Sequence, residues 1–366
     1  MSRDIPPAPP AALAWGLIAL CRAGFEKETA AELDRFSQEL GLTGYVRAKD
    51  GTAFVVFESY EGIELAQLMP HCDWHALVFA RSLMPWFARV DELPERDRAT
   101  PIVAATRASG QRFSNVHLEH PDSDATRPLS GFCRRFTEPL TKQLATKGGL
   151  RTSRKHLPAL HVLFTDERTA WLGAALPGHA APWPMGIARL RMPHEAGSRS
   201  TLKLAEAILG LLTEEERTVQ MRAGMRAVDL GAAPGGWSWQ LAYRGLRVIA
   251  VDNGPMAQSV MATEMVEHLR ADGFTWRPQR PTDWLVCDMV EQPSRIATLM
   301  AEWIATGRAR HAIFNLKLPM KRRLDALDQC RALIHKRLSS VGDYDLRIKH
   351  LYHDREEVTA YLTLAR

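Results

Sequence analysis

Paired cysteines, long apolar runs and a complete dinucleotide fingerprint are all missing from this 366-residue sequence. Its five cysteines stand at positions 21, 72, 133, 287 and 330. The number is odd and no two have CxxC spacing, so zinc and redox motifs find no support. Buried, reduced thiols are expected instead, and no metal. The longest apolar run, Ala11 to Cys21, has 11 residues and stops at Arg22. A bilayer span needs about 20, so no segment is expected to cross a membrane. Nor does that run have signal-peptide form. Its leader sets Asp4 and four prolines beside Arg3, and no small-residue cleavage pattern follows. A cytoplasmic protein is expected, monomeric and without a membrane partner.

What is present is globular. Hydrophobic residues make up 46% and charged residues 24%, which excludes a disordered tail or a fibre. At roughly 150 residues per domain, the length implies two to three domains. The net charge is only +5, but it is unevenly spread. Between Arg134 and Lys155 lie Arg134, Arg135, Lys142, Lys147, Arg151, Arg154 and Lys155 against the single acid Glu138. That stretch alone exceeds the charge of the whole chain. It is the footprint of a polyphosphate partner or a solvated helix face.

The pattern along the chain implies an α/β protein in four parts. Residues 1–60 open with a proline-rich, loose segment through Pro10. A β-α-β-β order follows: a strand at Trp15–Arg22, a helix at Glu26–Leu40, and strands at Tyr45–Arg47 and Thr52–Glu58. Residues 61–176 form a second α+β unit. Strands are expected at Leu77–Leu83 and Ile102–Thr106, an amphipathic helix at Leu129–Leu144, and a hairpin at Leu160–Phe164 and Thr169–Gly173. Residues 177–198, rich in Pro and Gly at first, read as a linker. In residues 199–366 strands alternate with helices, which implies a doubly wound, mostly parallel sheet. Its strands are expected at Ala227–Leu230, Arg247–Asp252, Trp284–Asp288 and Ala312–Lys317. A late pair follows at Tyr344–His350 and Val358–Ala365.

The sharpest motif is Asp229-Leu-Gly-Ala-Ala-Pro-Gly-Gly-Trp237, between a strand and a helix. Gly231 permits a tight turn, and Gly235 and Gly236 remove Cβ atoms where a ligand could approach. In open parallel sheets ligands sit at the carboxyl ends of strands, near the switch point. Asp252 ends the next strand and can accept from two ribose hydroxyls. The dinucleotide fingerprint is G-x-G-x-x-G, and this loop has Ala233 at its third position. Pro234 removes a further N–H donor. A loop that binds no pyrophosphate can do without it, so S-adenosylmethionine is favoured over NAD. Asp288 and Lys317 end two further strands. Lys203 lies on a helix before the loop, and Glu357 begins the last strand. Each alone reads as a surface charge; together they surround one crevice.

The loop DLGAAPGGW with Lys203, Asp288, Lys317 and Glu357 resembles the heat-shock ribosomal RNA 2′-O-ribose methyltransferase family, which carries a Lys-Asp-Lys-Glu tetrad. Over nearly the whole chain the sequence is closer still to the bacterial 23S rRNA cytidine 2′-O-methyltransferases. Ser200-Thr-Leu-Lys-Leu204, Pro182-Trp-Pro-Met-Gly-Ile187, Phe314-Asn-Leu-Lys-Leu318 and Tyr352-His-Asp-Arg-Glu-Glu-Val358 carry that likeness. Ala233 stands where the family loop has Cys, and both are small. The resemblance implies a Rossmann-like catalytic domain preceded by a THUMP-type RNA-binding region, which would hold the basic stretch. It implies 23S rRNA as partner and S-adenosyl-L-methionine as cofactor. Ser200, Ala233, Pro234, Gly235, Gly236, Asp252, Asp272 and Asp288 become the cofactor-contact candidates, although Asp272-Gly273 reads equally as a plain turn. Glu356 adjoins Glu357 and competes for the role of tetrad acid.

The resemblance also implies methyl transfer to a ribose 2′-oxygen, with Lys317 as base and with Lys203 and Glu357 positioning the ribose. A lysine is ordinarily protonated at neutral pH. Burial and Lys203 would favour the neutral amine of Lys317, whereas Asp288 would favour the ammonium. Two other readings stand beside this one: an NAD-type oxidoreductase, and a non-catalytic RNA-binding assembly factor on a degenerate methyltransferase fold.

Overall fold

The computed structural model describes residues 12–365, so the expected loose segment through Pro10 lies outside the described residues. The chain divides into two compact units after Ile187, within the expected linker. Among the described residues no helix is long and apolar enough to cross a membrane.

The first unit is built on one seven-stranded sheet. Its elements run β1 (Leu13–Leu20), α1 (Glu26–Glu39), β2 (Gly44–Ala48), β3 (Phe54–Glu64), α2 (Leu65–Leu68), β4 (Ser82–Val90), α3 (Ala99–Ala108), β5 (Asn115–Glu119), α4 (Leu129–Lys147), β6 (Ala159–Phe164) and β7 (Ala170–Ala175). The strand order is β2-β3-β1-β4-β7-β6-β5, antiparallel except for the β5–β6 pair. The expected boundary after residue 60 falls inside β3. Strand β4, from the part expected to be separate, pairs directly with β1. One core serves both halves, from Leu17, Leu33 and Phe57 to Leu140, Val162 and Leu172.

Two expected strands are corrected here. Of the expected strand Leu77–Leu83 only Ser82 and Leu83 are found in one, at the start of β4; Leu77–Arg81 is buried but is not a strand. The N–H groups of Val78 and Phe79 donate to the Glu32 carboxylate at 3.1 and 2.8 Å. A side chain on α1 thus satisfies donors that a neighbouring strand would otherwise take. Ile102–Thr106 is the middle of α3, not a strand. Its buried residues are Ala99, Ile102, Val103 and Thr106, a spacing of three, four and seven that only a helix puts on one face. The Leu129–Leu144 helix is found as α4 and runs on to Lys147. Arg134, Arg135, Lys142, Lys147, Arg151, Arg154 and Lys155 are all exposed, and Lys142 pairs with Glu138 at 2.7 Å.

Inside the same sheet Glu119 is a buried tie. Its Oε2 meets His161 Nδ1 at 2.7 Å and its Oε1 accepts Met185 N–H at 2.6 Å. Burial opposes its charge, but His161 and the Met185 N–H hold the carboxyl below its ordinary value.

The second unit is doubly wound, as expected. It runs α5 (Thr201–Leu211), α6 (Glu214–Gln220), β8 (Arg226–Leu230), α7 (Gly236–Tyr243), β9 (Arg247–Val251), α8 (Gln258–Met261), β10 (Val266–Leu269), β11 (Thr282–Cys287), α9 (Pro293–Ala305), β12 (Ala309–Lys317), α10 (Arg323–Leu338), β13 (Tyr344–Lys349) and β14 (Glu357–Leu364). The sheet order is β10-β9-β8-β11-β12-β14-β13. Strands β8 to β12 are parallel, and β14 is antiparallel to both β12 and β13. From β8 the chain winds outward through β9 and β10, then returns to place β11 on the other side of β8. The switch point therefore lies between β8 and β11, where ligand crevices open in such sheets. Strand β10 and helix α6 were not expected from the sequence. All five cysteines are buried and unbridged, in keeping with reduced thiols.

Candidate active site at the carboxyl edge of the second sheet

The glycine loop leaves β8 at Leu230 and enters α7 at Gly236. Gly231 has φ +73°, and an added Cβ would meet Met289 Cγ at 2.3 Å. The Ala233–Pro234 peptide is cis. Gly235 and Gly236 are also held to glycine by the protein's own packing. A Cβ on Gly235 would meet Met256 Cε at 2.8 Å, and one on Gly236 would meet Ser200 Oγ at 2.2 Å. The room these glycines leave is filled by the protein itself, and Gly236 lets α7 seat against the start of α5.

Asp252 follows β9 and closes the loop. Its Oδ2 accepts Ala233 N–H at 2.9 Å and its Oδ1 accepts Gly254 N–H at 2.7 Å. A carboxylate has about four acceptor positions, so capacity for hydroxyl donors remains. Beside it is a cavity of about 410 Å³ with Gly231, Ala233, Asp252, Asp272, Met289 and Asp288 in its wall, within the usual size for a cofactor cleft. Ser200, Pro234, Gly235 and Gly236 are not in that wall. Ser200 instead bonds Ser198 Oγ at 3.0 Å. Asp272 is both things the sequence allowed. Its Oδ1 accepts Phe274 N–H at 2.8 Å, as a turn residue does, and it faces the cavity.

Asp229 is buried beneath the loop rather than in the cavity wall. It accepts from Ser238 Oγ at 2.7 Å, which ties β8 to α7. Burial pushes its carboxyl up to about 7, against the Ser238 hydrogen bond and with help from Asp288 and Asp252.

The four charged candidates do meet. Asp288 Oδ1 holds Lys317 Nζ, and Asp288 Oδ2 lies 3.5 Å from Lys203 Nζ. Glu357 Oε1 holds Lys203 Nζ and lies 3.7 Å from Lys317 Nζ. Two ammoniums and two carboxylates thus form a ring of contacts with no net charge. Each side chain is largely but not wholly enclosed, from 8% exposed for Glu357 to 22% for Lys317. Burial alone would lower Lys203, but Asp288 and Glu357 hold it above its ordinary value. Burial alone would raise Glu357, but Lys203 and Lys317 hold it below. Glu356 points elsewhere, to Arg323 Nη2 at 2.6 Å.

Supporting residues were missed by the sequence reading. Asn315 Nδ2 donates to Asp288 Oδ1 at 2.8 Å. Glu206 of α5 takes the N–H groups of Tyr352 and His353 at 2.8 and 2.9 Å and so anchors the loop that delivers Glu357. A signal for Asn315 existed: it lies two residues before Lys317, hence on the same face of a strand. Nothing in the local sequence marks Glu206 as a loop anchor.

Three family models match the chain: the RlmM ferredoxin-like domain at residues 15–84, the N-terminal domain of ribosomal RNA large subunit methyltransferase M at 97–176, and the FtsJ-like methyltransferase at 196–332. The ribosomal RNA large subunit methyltransferase M of Aromatoleum aromaticum is 68% identical over 363 residues, 98% of this chain and 99% of its own. That of Thauera aminoaromatica is 68% identical over 359 residues, 98% and 99% of the two chains. That of Methylococcus capsulatus is 47% identical over 349 residues, 95% and 98%.

Proposed function

The chain belongs to the ribosomal RNA large subunit methyltransferase M family and is an S-adenosylmethionine-dependent rRNA methyltransferase; from that premise we propose that it methylates the ribose 2′-hydroxyl of a cytidine in 23S rRNA, with Lys317 as general base. One observation carries this reading. Asp288 belongs both to the cavity wall and, through its two oxygens, to the lysine cluster. A cofactor cleft and a proton-handling group therefore share a residue.

The cavity suits S-adenosylmethionine in its donor set. Asp252 has acceptor capacity for ribose hydroxyls, Asp272 lies where it can accept from an amine, and Asp288 can meet the amino-acid end. Val251, Phe274 and Met289 supply apolar walls. When bound, the cofactor supplies an electrophilic methyl group. The chain's own residues have to orient the ribose and remove its proton. Lys317 Nζ, as the free amine, accepts the proton of the 2′-hydroxyl. Asp288 fixes the direction of that amine. Lys203, held by Glu357, presents a positive charge to the developing oxyanion. With Lys317 as the free amine the cluster carries one net negative charge, and the proton taken from the 2′-hydroxyl brings it to neutrality.

The exposed basic stretch on and after α4 supports an RNA-binding role for the first unit, of the THUMP type. An rRNA substrate assigns the enzyme to the compartment of the ribosome, the cytoplasm. The reading is tested by incubating the protein with labelled cofactor and 23S rRNA, digesting the product to nucleosides and separating them by mass. The expected product is 2′-O-methylcytidine. Label on a base, or on another ribose, would sink the specificity proposed here.

A further inference from the structure

Behind the charged ring lies a line of buried polar side chains that the mechanism above does not use. Asn315, Thr359 and Asp354 are each fully buried. Asn315 shares a face of β12 with Lys317, and Thr359 shares a face of β14 with Glu357. The ladder sets Asn315 opposite Thr359, as it sets Lys317 opposite Glu357. Asn315 Nδ2 donates to Asp288 Oδ1 at 2.8 Å, the oxygen that also holds Lys317. Thr359 Oγ1 donates to Asn315 Oδ1 at 2.7 Å and lies 3.1 and 2.9 Å from the two oxygens of Asp354.

A hydroxyl has one hydrogen and cannot donate to Asn315 and Asp354 together. Burial, with Glu357 and Glu206 nearby, holds the Asp354 carboxyl well above its ordinary range. Asp288 takes the Asn315 amide hydrogen, so the Asn315 oxygen faces Thr359 and receives its hydrogen at 2.7 Å, the shortest of the three Thr359 contacts; a hydrogen between Thr359 and Asp354 then has to be the acid's. Asp354 Oδ2 accepts Leu351 N–H at 3.1 Å. The line then has one direction: Asp354 to Thr359, Thr359 to the Asn315 carbonyl, Asn315 amide to Asp288. An amide can present either end, and the Thr359 hydrogen decides which end Asp288 meets.

We propose that Asn315, fixed in orientation by Thr359 and Asp354, is the positioning residue that aims the Asp288 carboxylate at Lys317 and Lys203. The inference rests on the reading of Asp288 and Lys317 as methyl-transfer residues. Its consequence is chemical as well as geometric. The Asn315 hydrogen bond draws charge from the oxygen that holds the Lys317 proton. Without it, Asp288 grips that proton harder. The other charged groups facing Asp288 are Lys203 from α5, Glu357 from β14 and Asp229 from β8. Those facing Asp354 include Glu206, Glu357 and Lys203, and the buried Lys349 of β13 stands opposite Thr359. All of them are unchanged in the variants below.

The test compares Thr359→Val, Thr359→Ser, Asn315→Ala and Asp354→Asn with the wild type in the full chain. Single-turnover methyl transfer to 23S rRNA is followed from neutral to alkaline pH, with cofactor affinity measured by calorimetry and folding by thermal melting. Thr359→Val and Asn315→Ala should lose about 10- to 100-fold in rate, as outer-layer partners of a reactive group commonly do. Their rate–pH curves should move to higher pH, with cofactor affinity unchanged. Thr359→Ser keeps the hydroxyl and should restore both rate and curve. Asp354→Asn keeps a neutral donor and should stay near wild type. A merely structural defect would lower the rate without displacing the pH curve, and that result overturns the proposal. So does an Asp354→Asn enzyme as slow as Thr359→Val. Lys317→Ala, run alongside, separates the two levels. If it remains active, the site reading itself fails; if it is dead while Thr359→Val behaves as wild type, only the positioning role fails.

Discussion

Lys317 and Glu357 stand directly opposite each other across the β12–β14 ladder, with 3.7 Å between Nζ and Oε1. The pairing follows from strand direction. Strand β12 ends at the carboxyl edge of a parallel set, where ligands collect. Strand β14 runs the other way, so its first residue arrives at that same edge. One antiparallel strand thereby adds an acid to a crevice otherwise furnished from parallel strand ends and from Lys203 of α5.

Lys317→Ala should leave folding and cofactor binding intact and remove the chemical step. Loss of a general base costs about 10²–10⁴-fold. Lys317→Arg should rescue poorly, because a guanidinium stays protonated. Single-turnover transfer of labelled methyl to rRNA is the measurement. A rate within about threefold of wild type would remove Lys317 from the role of base.

Asp252→Ala should weaken cofactor binding by about 1–3 kcal/mol, the worth of hydrogen bonds to an ionised group. The variant also frees the N–H groups of Ala233 and Gly254. Melting is therefore measured with the calorimetric titration. Unchanged affinity in a folded variant would exclude Asp252 from the cofactor site.

Replacing Arg134, Arg135 and Lys142 together by Ala should weaken RNA binding and lower the log–log salt slope by about 2. Cofactor affinity should not move. Lys142 is already engaged by Glu138, so the two arginines should account for most of the change. Wild-type affinity and slope would mark the stretch as a solvated face.

Asp229→Asn should change how stability depends on pH. The folded carboxyl lies at about 7, raised from 3.8, chiefly by burial. A raised acid binds its proton more tightly when folded. Its contribution is complete below pH 3.8 and is lost as pH rises through about 7. The asparagine variant has no such loss, so its melting temperature should gain on wild type between those limits, by about 2 °C or more at mildly alkaline pH. Parallel melting curves across that window would contradict the burial argument.

How far the sequence reveals all this depends on the kind of residue. The second sheet was legible because strand tips carried charges and each apolar run ended at a turn. The four tetrad residues could be picked out singly, but only the register of β14 brings Glu357 rather than Glu356 to Lys203. The first unit was harder. Leu77–Arg81 has the composition of a strand, and what overrides it is Glu32, 45 or more positions earlier in the chain. Ile102–Thr106 was misread because a window of five residues cannot distinguish a buried strand from one face of a helix. Thr359 and Asp354 carry no local mark of function, and Asn315 has only its place two residues before Lys317 on one face of a strand. Their role exists only in the line of hydrogen bonds that three separate segments make.

The tight seating of Gly235 and Gly236 has a consequence for descent. Gly235 lies at φ +111° with Val260 Cγ2 2.9 Å from an added Cβ, and Gly236 has the Thr201 backbone at 3.0 Å, so both positions are constrained by the interior of the protein, whether or not a cofactor ever binds. A lineage that abandoned methylation and kept the scaffold would keep both glycines while its lysines drifted. In distant kin the glycine loop is therefore a record of architecture, and the ring of Lys203, Asp288, Lys317 and Glu357 is the record of chemistry. Sorting active from retired copies of this fold means reading the second and discounting the first.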